Sequence, residues 1–570
     1  MLTTFRGAGR RAAAFLLAGL CLHTAGASLR AQGPIIPDRT VQPAAPAATP
    51  DGKKPDDKKK DEPQPFWAKV PDLPVTARPG WFLLPPSGPG YYTGLDAIRG
   101  ECKEKAPFYP YRGVFYDNDF RYLDTKDGKR YDAFDDLKRI HLGPLFNSCN
   151  DDWLLSVGGE ERLQFKQENG GNNGRITGAD NNYQLLRSRV YADLWYQDLI
   201  RVYVEYFDAQ SYNQNLPPII TDVDHSDILN AFADIKVGEW NNHPAYVRLG
   251  RQELLYGSQR LVSPLDWANT RRTFDGAKVF WHGDKWDVDA FWVRPVVPNA
   301  TRFDSSDDKR QFGGIYTTYK VDKHQSVDLY YLYLDDATPQ VLGRVAGGRG
   351  GYDVNTFGAR YSGDRKVESN CCCGKSPGSL LWDFEGGYQF GTYTARNDSS
   401  GFATAGVGWA FTEVPMQPEV WAYYDYASGT PGVSGTGQYS TFNQLFPFGH
   451  YYLGALDDEG RENLRDLNFQ GTVYPAKWIT GLAQVHFFGL DQPADALYGK
   501  GPNYPVIRRS VRGNAGSTVG NELDLITSFQ LDRHSNLSFG YAKLFEGDFI
   551  RQTGPSVSPE FYYAQYSFRW

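Results

Sequence analysis

Residues Leu186 to Leu194 read Leu-Arg-Ser-Arg-Val-Tyr-Ala-Asp-Leu, and this alternation constrains the fold more than any other feature of the chain. Successive side chains of a strand point to opposite faces. Arg187, Arg189, Tyr191 and Asp193 therefore share one face, while Leu186, Val190, Ala192 and Leu194 share the other. The pattern recurs: Arg201, Tyr203 and Glu205 against Val202, Val204 and Tyr206, then Asp234 and Lys236 against Ala233, Ile235 and Val237. Asp287 with Asp289, Asp383 with Glu385, and Glu522 with Asp524 follow the same rule. A closed barrel with a wet interior and a lipid-facing exterior accounts for it, because an arginine facing lipid at mid-bilayer costs roughly 2–4 kcal/mol.

The residues Tyr562 to Trp570 show the same period with aromatic content. Tyr562, Ala564, Tyr566, Phe568 and Trp570 fall on one face, and Tyr563, Gln565, Ser567 and Arg569 on the other. An open aromatic edge invites aggregation, so this segment is expected to be the closing strand, with Arg569 toward the lumen and Trp570 in the inner girdle. Mean hydropathy is −0.52 and no run of eighteen apolar residues follows the first thirty, which excludes a helical membrane protein. Aromatic residues make up 15%, with 37 Tyr and 14 Trp beside 60 Gly, a composition suited to interfacial girdles and tight strand packing. A large secreted β-sandwich is the competing fold.

Arg6, Arg10 and Arg11, the apolar stretch Ala12–Leu22 and Ala25-Gly26-Ala27 read as a secretory signal peptide over 1–27. Cys21 follows Leu20 where a lipidation site needs a small residue, which disfavours a lipoprotein. Residues 28–65 read as a disordered linker, with eight prolines from Pro34 to Pro65 and five lysines against five acids in Asp51–Glu62. Residues 66–152 form a periplasmic lead-in, within which Tyr131–His141 suggests a short helix. Cys102 and Cys149 are candidates for a disulfide in an oxidising compartment. Cys371-Cys372-Cys373 lacks the spacers of a zinc site and has no histidine within thirty residues, so no metal or other cofactor is expected.

From Trp153 to Trp570 about eighteen strands are expected, an even number. They lie near 153–167, 183–197, 199–210, 226–238, 243–252, 274–282, 285–294, 311–321, 325–335, 352–361, 379–392, 403–411, 417–427, 466–474, 477–488, 518–531, 535–546 and 560–570. Connections alternate between long, as at 168–182, 253–273 and 428–465, and short, as at 283–284, 475–476 and 532–534. Long loops belong outside and short turns in the periplasm. The connection 362–378 is long on the short side.

The region 153–570 holds 26 Arg against 12 Lys, and guanidinium forks match carboxylates bidentately. Its 38 basic and 48 acidic side chains give a net charge of −10, so selectivity for an anion has to be local. The expected pore lining is Arg187, Arg189, Asp193, Arg201, Glu205, Asp234, Lys236, Arg248, Arg251, Arg260, Arg271, Arg272 and Asp275. Tyr246–Gly276 supplies five of these arginines, and Arg251, Arg260, Arg271 and Arg272 are placed to fold back and form a constriction. Two roles remain open for the inward charges: holding a carboxylate-bearing solute, or pairing across the wall to stiffen the barrel.

Leu249-Gly250-Arg251-Gln252-Glu253, Gly257-Ser258-Gln259-Arg260, Trp267 and Phe274-Asp275-Gly276 resemble the alginate-export family of outer-membrane porins. Gly158-Gly159-Glu160-Glu161-Arg162 is similar to that family's first strand. The resemblance implies an 18-stranded barrel with an arginine-rich pore that passes an anionic uronate polysaccharide outward by diffusion. The implied partners are the outer-membrane bilayer, an anionic polysaccharide or acidic saccharide, and periplasmic export proteins. The linker, the lead-in and the acidic balance depart from that pattern.

A solute-uptake porin for small anions or oligosaccharides is the alternative. A barrel enzyme would need a nucleophile and a base. Ser510 and His486 can be nominated, but the nine histidines form no recognisable constellation. An energised receptor would need a plug domain larger than this lead-in, in a wider barrel. No basic cluster interleaved with aromatics points to nucleic acid, and Gly347–Gly351 lacks the strand-to-helix setting of a phosphate cradle.

Overall fold

The computed structural model describes residues 111–570, apart from 125–129, 131, 144–151, 172–175, 339–350, 368–377, 395, 412, 433–436, 477, 501–505 and 511. The expectations for the signal peptide, the linker, Cys102, Cys149 and the Cys371–Cys373 triplet lie outside the described residues. Eighteen antiparallel strands close into a barrel. They are β1 (Trp153–Asn169), β2 (Asn181–Tyr196), β3 (Ile200–Tyr212), β4 (Asp224–Trp240), β5 (His243–Gln252) and β6 (Phe274–His282). Next come β7 (Trp286–Val297), β8 (Arg310–Lys320), β9 (Gln325–Asp336), β10 (Tyr352–Val367), β11 (Gly378–Tyr393) and β12 (Arg396–Ala410). The wall is completed by β13 (Glu419–Ala427), β14 (Leu464–Ala476), β15 (Ile479–Leu490), β16 (Thr518–Gln530), β17 (Ser535–Glu546) and β18 (Glu560–Arg569).

Each strand pairs with its neighbour in sequence, and β18 closes on β1 with Arg569 opposite Glu160 and Glu560 opposite Asn169. Closure removes the sheet edges that an open meander would expose. Two glycines of the resembling motifs permit close approaches. A Cβ on Gly158 would lie 2.5 Å from the Trp570 carbonyl oxygen at the seam, and Gly250 takes φ +130 in β5, where a Cβ would lie 2.2 Å from the Ala231 carbonyl.

The period-2 pattern assigns the faces. On β2 and β3, Arg187, Arg189, Tyr203 and Glu205 are buried, while Val190, Val202, Val204 and Tyr206 are exposed, Val204 to 41%. The exposed apolar band continues around the barrel through Leu249, Ile315, Phe357, Val407, Phe469, Leu525 and Phe539.

All eighteen expected strands are present, with one large shift. β12 starts at Arg396, seven residues before the expected boundary, and a two-residue turn joins it to Tyr393. Arg396–Gly401 is polar and small, so its sequence reads as loop, but pairing with Tyr388–Tyr393 carries the hairpin beyond the apolar band. At the other end of the same strands β10 and β11 extend to the pair Val367 and Gly378.

The long connections 253–273 and, in its described residues, 428–463 turn inward instead of spreading outside. A parallel backbone link joins them: Phe446 N donates to Leu261 O at 2.8 Å, and Ser263 N donates to Phe446 O at 2.9 Å. Leu254, Leu261, Val262, Phe442, Leu445 and Phe446 pack with Phe274, Phe291 and Phe312 of the wall to form the main apolar core, which lies inside the lumen.

The helix expected over Tyr131–His141 is a 3-10 turn, Ala133–Leu137, followed by a two-residue strand, Ile140–His141. Asp132 caps the turn by accepting from Phe134 N and Asp135 N, and Ile140 and His141 pair with Leu155 and Leu154 of β1. Pairing to the barrel rim wins over helix extension because the backbone groups after Leu137 find strand partners.

Candidate functional site

The inward faces of β1, β2, β3 and β5 carry Arg162, Arg187, Arg189, Arg201 and Arg248, all buried. Glu160 of β1 collects three of the surrounding cations: Arg187 Nη2 at 2.6 Å, Arg569 Nε at 2.9 Å and Arg189 Nη1 at 3.8 Å. Arg189 also donates to Glu205 at 2.6 Å. Arg201 forks onto Asp193 at 2.7 and 2.8 Å, and Arg248 onto Asp234 at 2.7 and 2.8 Å. The Arg248–Asp234 fork joins residues directly opposite in β5 and β4, whereas Arg201 reaches diagonally to Asp193, which stands opposite Tyr203.

The inward loop 253–273 completes this wall. Asp266 accepts from Arg187 at 2.8 Å and pairs with Arg271, while the Asp266 and Ala268 carbonyls accept from Arg162 at 2.6 and 2.7 Å. Arg271 also pairs with Glu253. Arg260 bridges to the far wall, 2.8 Å from Asp383 and 2.9 Å from Glu385 of β11, and Arg360 of β10 donates to Asp383 at 2.8 Å.

The remaining expected residues sit apart. Arg251 pairs with Asp275 at 2.9 Å. Arg272 donates to the Ser263 and Pro447 carbonyls at 3.1 and 3.2 Å. Lys236 pairs with Asp198 at 2.7 Å and Glu239 at 3.1 Å near a short turn. The lumen thus brings together Arg187, Arg189, Asp193, Arg201, Glu205, Asp234, Arg248 and Arg271, and leaves Arg251, Arg272, Asp275 and Lys236 outside that group. Arg260 belongs to a second cluster.

Around β14–β16 the sign reverses. Asp466, Glu522 and Asp524 of the wall face Asp458 and Glu459 of loop 428–463, and all five are buried. Burial, and next the facing Glu522 carboxylate, push the Asp458 and Glu459 carboxyl groups well above the usual range. His486 Nδ1 and Asp466 lie 2.8 Å apart, whereas Ser510 donates to Asn514 at 3.2 Å, so the two residues nominated for catalysis have different partners. Among the described residues no cluster of His, Cys, Asp and Glu is arranged to hold a metal ion.

Aromatic rings line the cationic wall. Tyr191 stacks on Tyr203 at 5.7 Å, Tyr203 on Phe232 at 5.2 Å, and Tyr246 on Phe280 at 5.6 Å. Against this surface lies the part of the lead-in from Tyr111 to Asp124. Val114, Phe115 and Tyr116 pack on Tyr191, Tyr203 and Phe232.

The family model for alginate export matches residues 153–564, most of the chain and the whole run of strands from β1 into β18. The chain belongs to the alginate export family. As an alginate-export barrel with a lipid-facing exterior, it is an outer-membrane channel protein. No curated protein matches it. Among solved structures, Pseudomonas aeruginosa OccD3 (OpdP) has 12% identity and a TM-score of 0.49, over 73% of this chain and 91% of that one. Pseudomonas aeruginosa OpdK with vanillate has 11% identity and a TM-score of 0.47, over 73% and 98%. Pseudomonas aeruginosa OpdQ has 10% identity and a TM-score of 0.48, over 73% and 98%.

Several site residues of this alginate-export family member escape a strand-by-strand reading. Glu160 and Arg162 alternate as lumen residues should, so their faces were legible, but their partners lie in β2, β18 and the loop. Asp266, Asp458 and Glu459 sit in inward loops without a period. Phe115 and Tyr116 carry no local signal, since they belong to an irregular segment whose destination depends on the finished barrel.

Proposed function

We propose that this barrel is a passive channel for export of an anionic, uronate-type polysaccharide or acidic saccharide. One observation carries the reading: buried guanidinium groups and stacked aromatic rings share one wall, with Arg189, Arg201 and Arg248 beside the Tyr191–Tyr203–Phe232 row. A uronate offers a carboxylate for the forked donors and a ring face for the aromatic surface. Membership of the family supports the outward direction. The acidic region around Glu522 and Asp524 leaves anion affinity to the arginine wall of β1–β5, which accords with the net negative barrel.

Conductance across planar bilayers tests the reading. Trigalacturonate is expected to block current at concentrations where maltotriose does not, and Arg201→Gln with Arg248→Gln is expected to weaken that block. Equal block by both saccharides, or an unchanged block in the double variant, defeats the proposal.

A further inference from the structure

Residues Gly113 to Asp117 fill the cationic wall without using any of its carboxylate partners. Arg271 Nη2 donates to Gly113 O at 2.9 Å, and Arg201 Nη2 donates to Tyr116 O at 2.6 Å. The Arg189 guanidinium lies 3.8 Å from the centre of the Phe115 ring, and that of Arg248 lies 4.4 Å from the Tyr116 ring. Tyr116 stands edge-on to Phe232 at 5.1 Å and donates its hydroxyl to Glu253 O at 2.6 Å. The segment therefore offers this wall carbonyl oxygens, ring faces and the Asp117 carboxylate, which interacts with the Arg248 and Arg201 charges, the same kinds of group that an acidic saccharide offers.

We infer that this segment is a tethered stand-in for the solute, occupying the saccharide site of the lumen until an acidic saccharide displaces it; this rests on the function proposed above. Three observations carry the inference. First, the guanidiniums keep donors without a close acceptor: Arg189 Nη1 and Nη2, Arg201 Nη1 and Arg248 Nη1 are buried without a hydrogen-bond partner, and the first three meet the wall carboxylates Glu160, Glu253 and Asp234 only at 3.8, 3.9 and 3.6 Å. A solute carboxylate can accept from them and brings a full opposite charge to the guanidiniums, which the Gly113 and Tyr116 carbonyl oxygens do not.

Second, the tip can leave without breaking the barrel. The backbone-to-backbone hydrogen bonds of residues 111–124, among the described residues, are all internal: Asp117 to Val114, Asn118 to Phe115 and Leu123 to Phe120. Third, the following segment is fixed to the rim. Asp132 accepts from Arg533 at 2.6 Å and lies 3.0 Å from His534 Nε2, Phe134 packs on Phe568 and Trp570, and Ile140–His141 extends the sheet from β1. A fixed base with a tip held only by side-chain and carbonyl contacts is the construction of a displaceable plug, and it keeps the plug at high local concentration.

The full chain carrying Phe115→Gly and Tyr116→Gly is compared with the unmodified chain in planar bilayers, with barrel assembly checked by heat-dependent gel mobility. Unit conductance is expected to rise several-fold. The trigalacturonate concentration for half-block is expected to fall about tenfold, because the binding-competent fraction no longer competes with the plug. An unchanged conductance, or a raised conductance with an unchanged half-block concentration, overturns the inference. A raised conductance with no trigalacturonate block in either protein instead overturns the substrate reading and leaves the blocking role of the segment standing.

A second measurement needs no variant. In the unmodified chain, trigalacturonate is expected to raise hydrogen exchange at residues 113–118 while 133–141 stay protected. Exchange at 113–118 that trigalacturonate leaves unchanged overturns the inference.

Discussion

Arg569 Nε donates to Glu160 Oε1 at 2.9 Å across the seam where the last strand meets the first. The same carboxylate receives Arg187 Nε and Nη2 at 3.0 and 2.6 Å. Closure of the sheet and neutralisation of the arginine wall therefore share one side chain. Removing one partner of a buried pair leaves charge uncompensated, which typically costs about 3–5 kcal/mol.

Glu160→Ala is accordingly expected to destabilise the barrel by about that amount. The temperature at which the folded band converts to the unfolded one on a semi-native gel should fall clearly below that of the unmodified chain. Glu160→Asp, which retains the charge, should recover part of the loss; no difference between the two variants would remove the role given to this carboxylate.

The lipid face gives a second prediction from β3. Val204 is exposed to the bilayer, while its neighbours Tyr203 and Glu205 are buried in the lumen. Val204→Arg is expected to cost roughly 2–4 kcal/mol if it lies near the bilayer midplane. Val204→Leu should be neutral. Denaturant titrations in lipid vesicles, followed by tryptophan emission, check both, and a neutral arginine would place this strand face away from lipid.

What was legible in the sequence follows from where chemistry alternates. β2, β3 and β18 were readable because a lumen and a lipid face impose opposite demands on adjacent residues, so Arg187, Arg189 and Val190 could be sided directly. The start of β12 was not, since Arg396–Gly401 lies beyond the apolar band and loses the alternation while keeping its pairing. The arginines of loop 253–273 were expected to fold back, and Arg260 and Arg271 do lie in the lumen. Their partners, Asp383 and Glu253, are 123 and 18 residues away. Contacts of this kind depend on how the barrel curves, and no local pattern records them. The seat of Phe115 and Tyr116 on the inner wall is the extreme case, because the rest of the barrel must exist before that site does.

Lys138 makes docking of the lead-in sensitive to pH. Its Nζ donates to Val157 O and lies 5.3 Å from the Phe120 ring centre and 5.7 Å from that of Trp570, and the side chain is buried. Burial lowers its pKa to about 7, against the opposing pull of the Asp135 and Asp132 carboxylates. Undocked, the amine holds its proton up to its usual value near 10.5. Between these two values the undocked state binds more protons, so docking strengthens as pH rises from about 7 toward 10 and is weakest below 7. Hydrogen-exchange protection of residues 133–141, corrected for intrinsic rates, should rise between pH 7 and about 9.5. Lys138→Met should flatten that slope; a slope that survives the substitution would assign it to another group.

The end of β18 binds two structures at once. Trp570 N donates to Gly159 O at 3.0 Å and Gly159 N donates to Trp570 O at 2.8 Å, which makes the final backbone link of the closure. Phe568 and Trp570 also hold the Phe134 ring of the lead-in, at 5.7 and 6.2 Å. Deleting Phe568 to Trp570 removes Arg569 from Glu160, the last seam bonds and the rim contact together. The truncated chain is expected to fail in barrel assembly before any question of conductance arises, leaving little protease-resistant material in the outer membrane. A milder change separates the two roles. Phe134→Ala should leave assembly and heat stability of the barrel intact while lowering protection at 133–141, and a loss of assembly in this variant would mean that the lead-in is required to close the barrel.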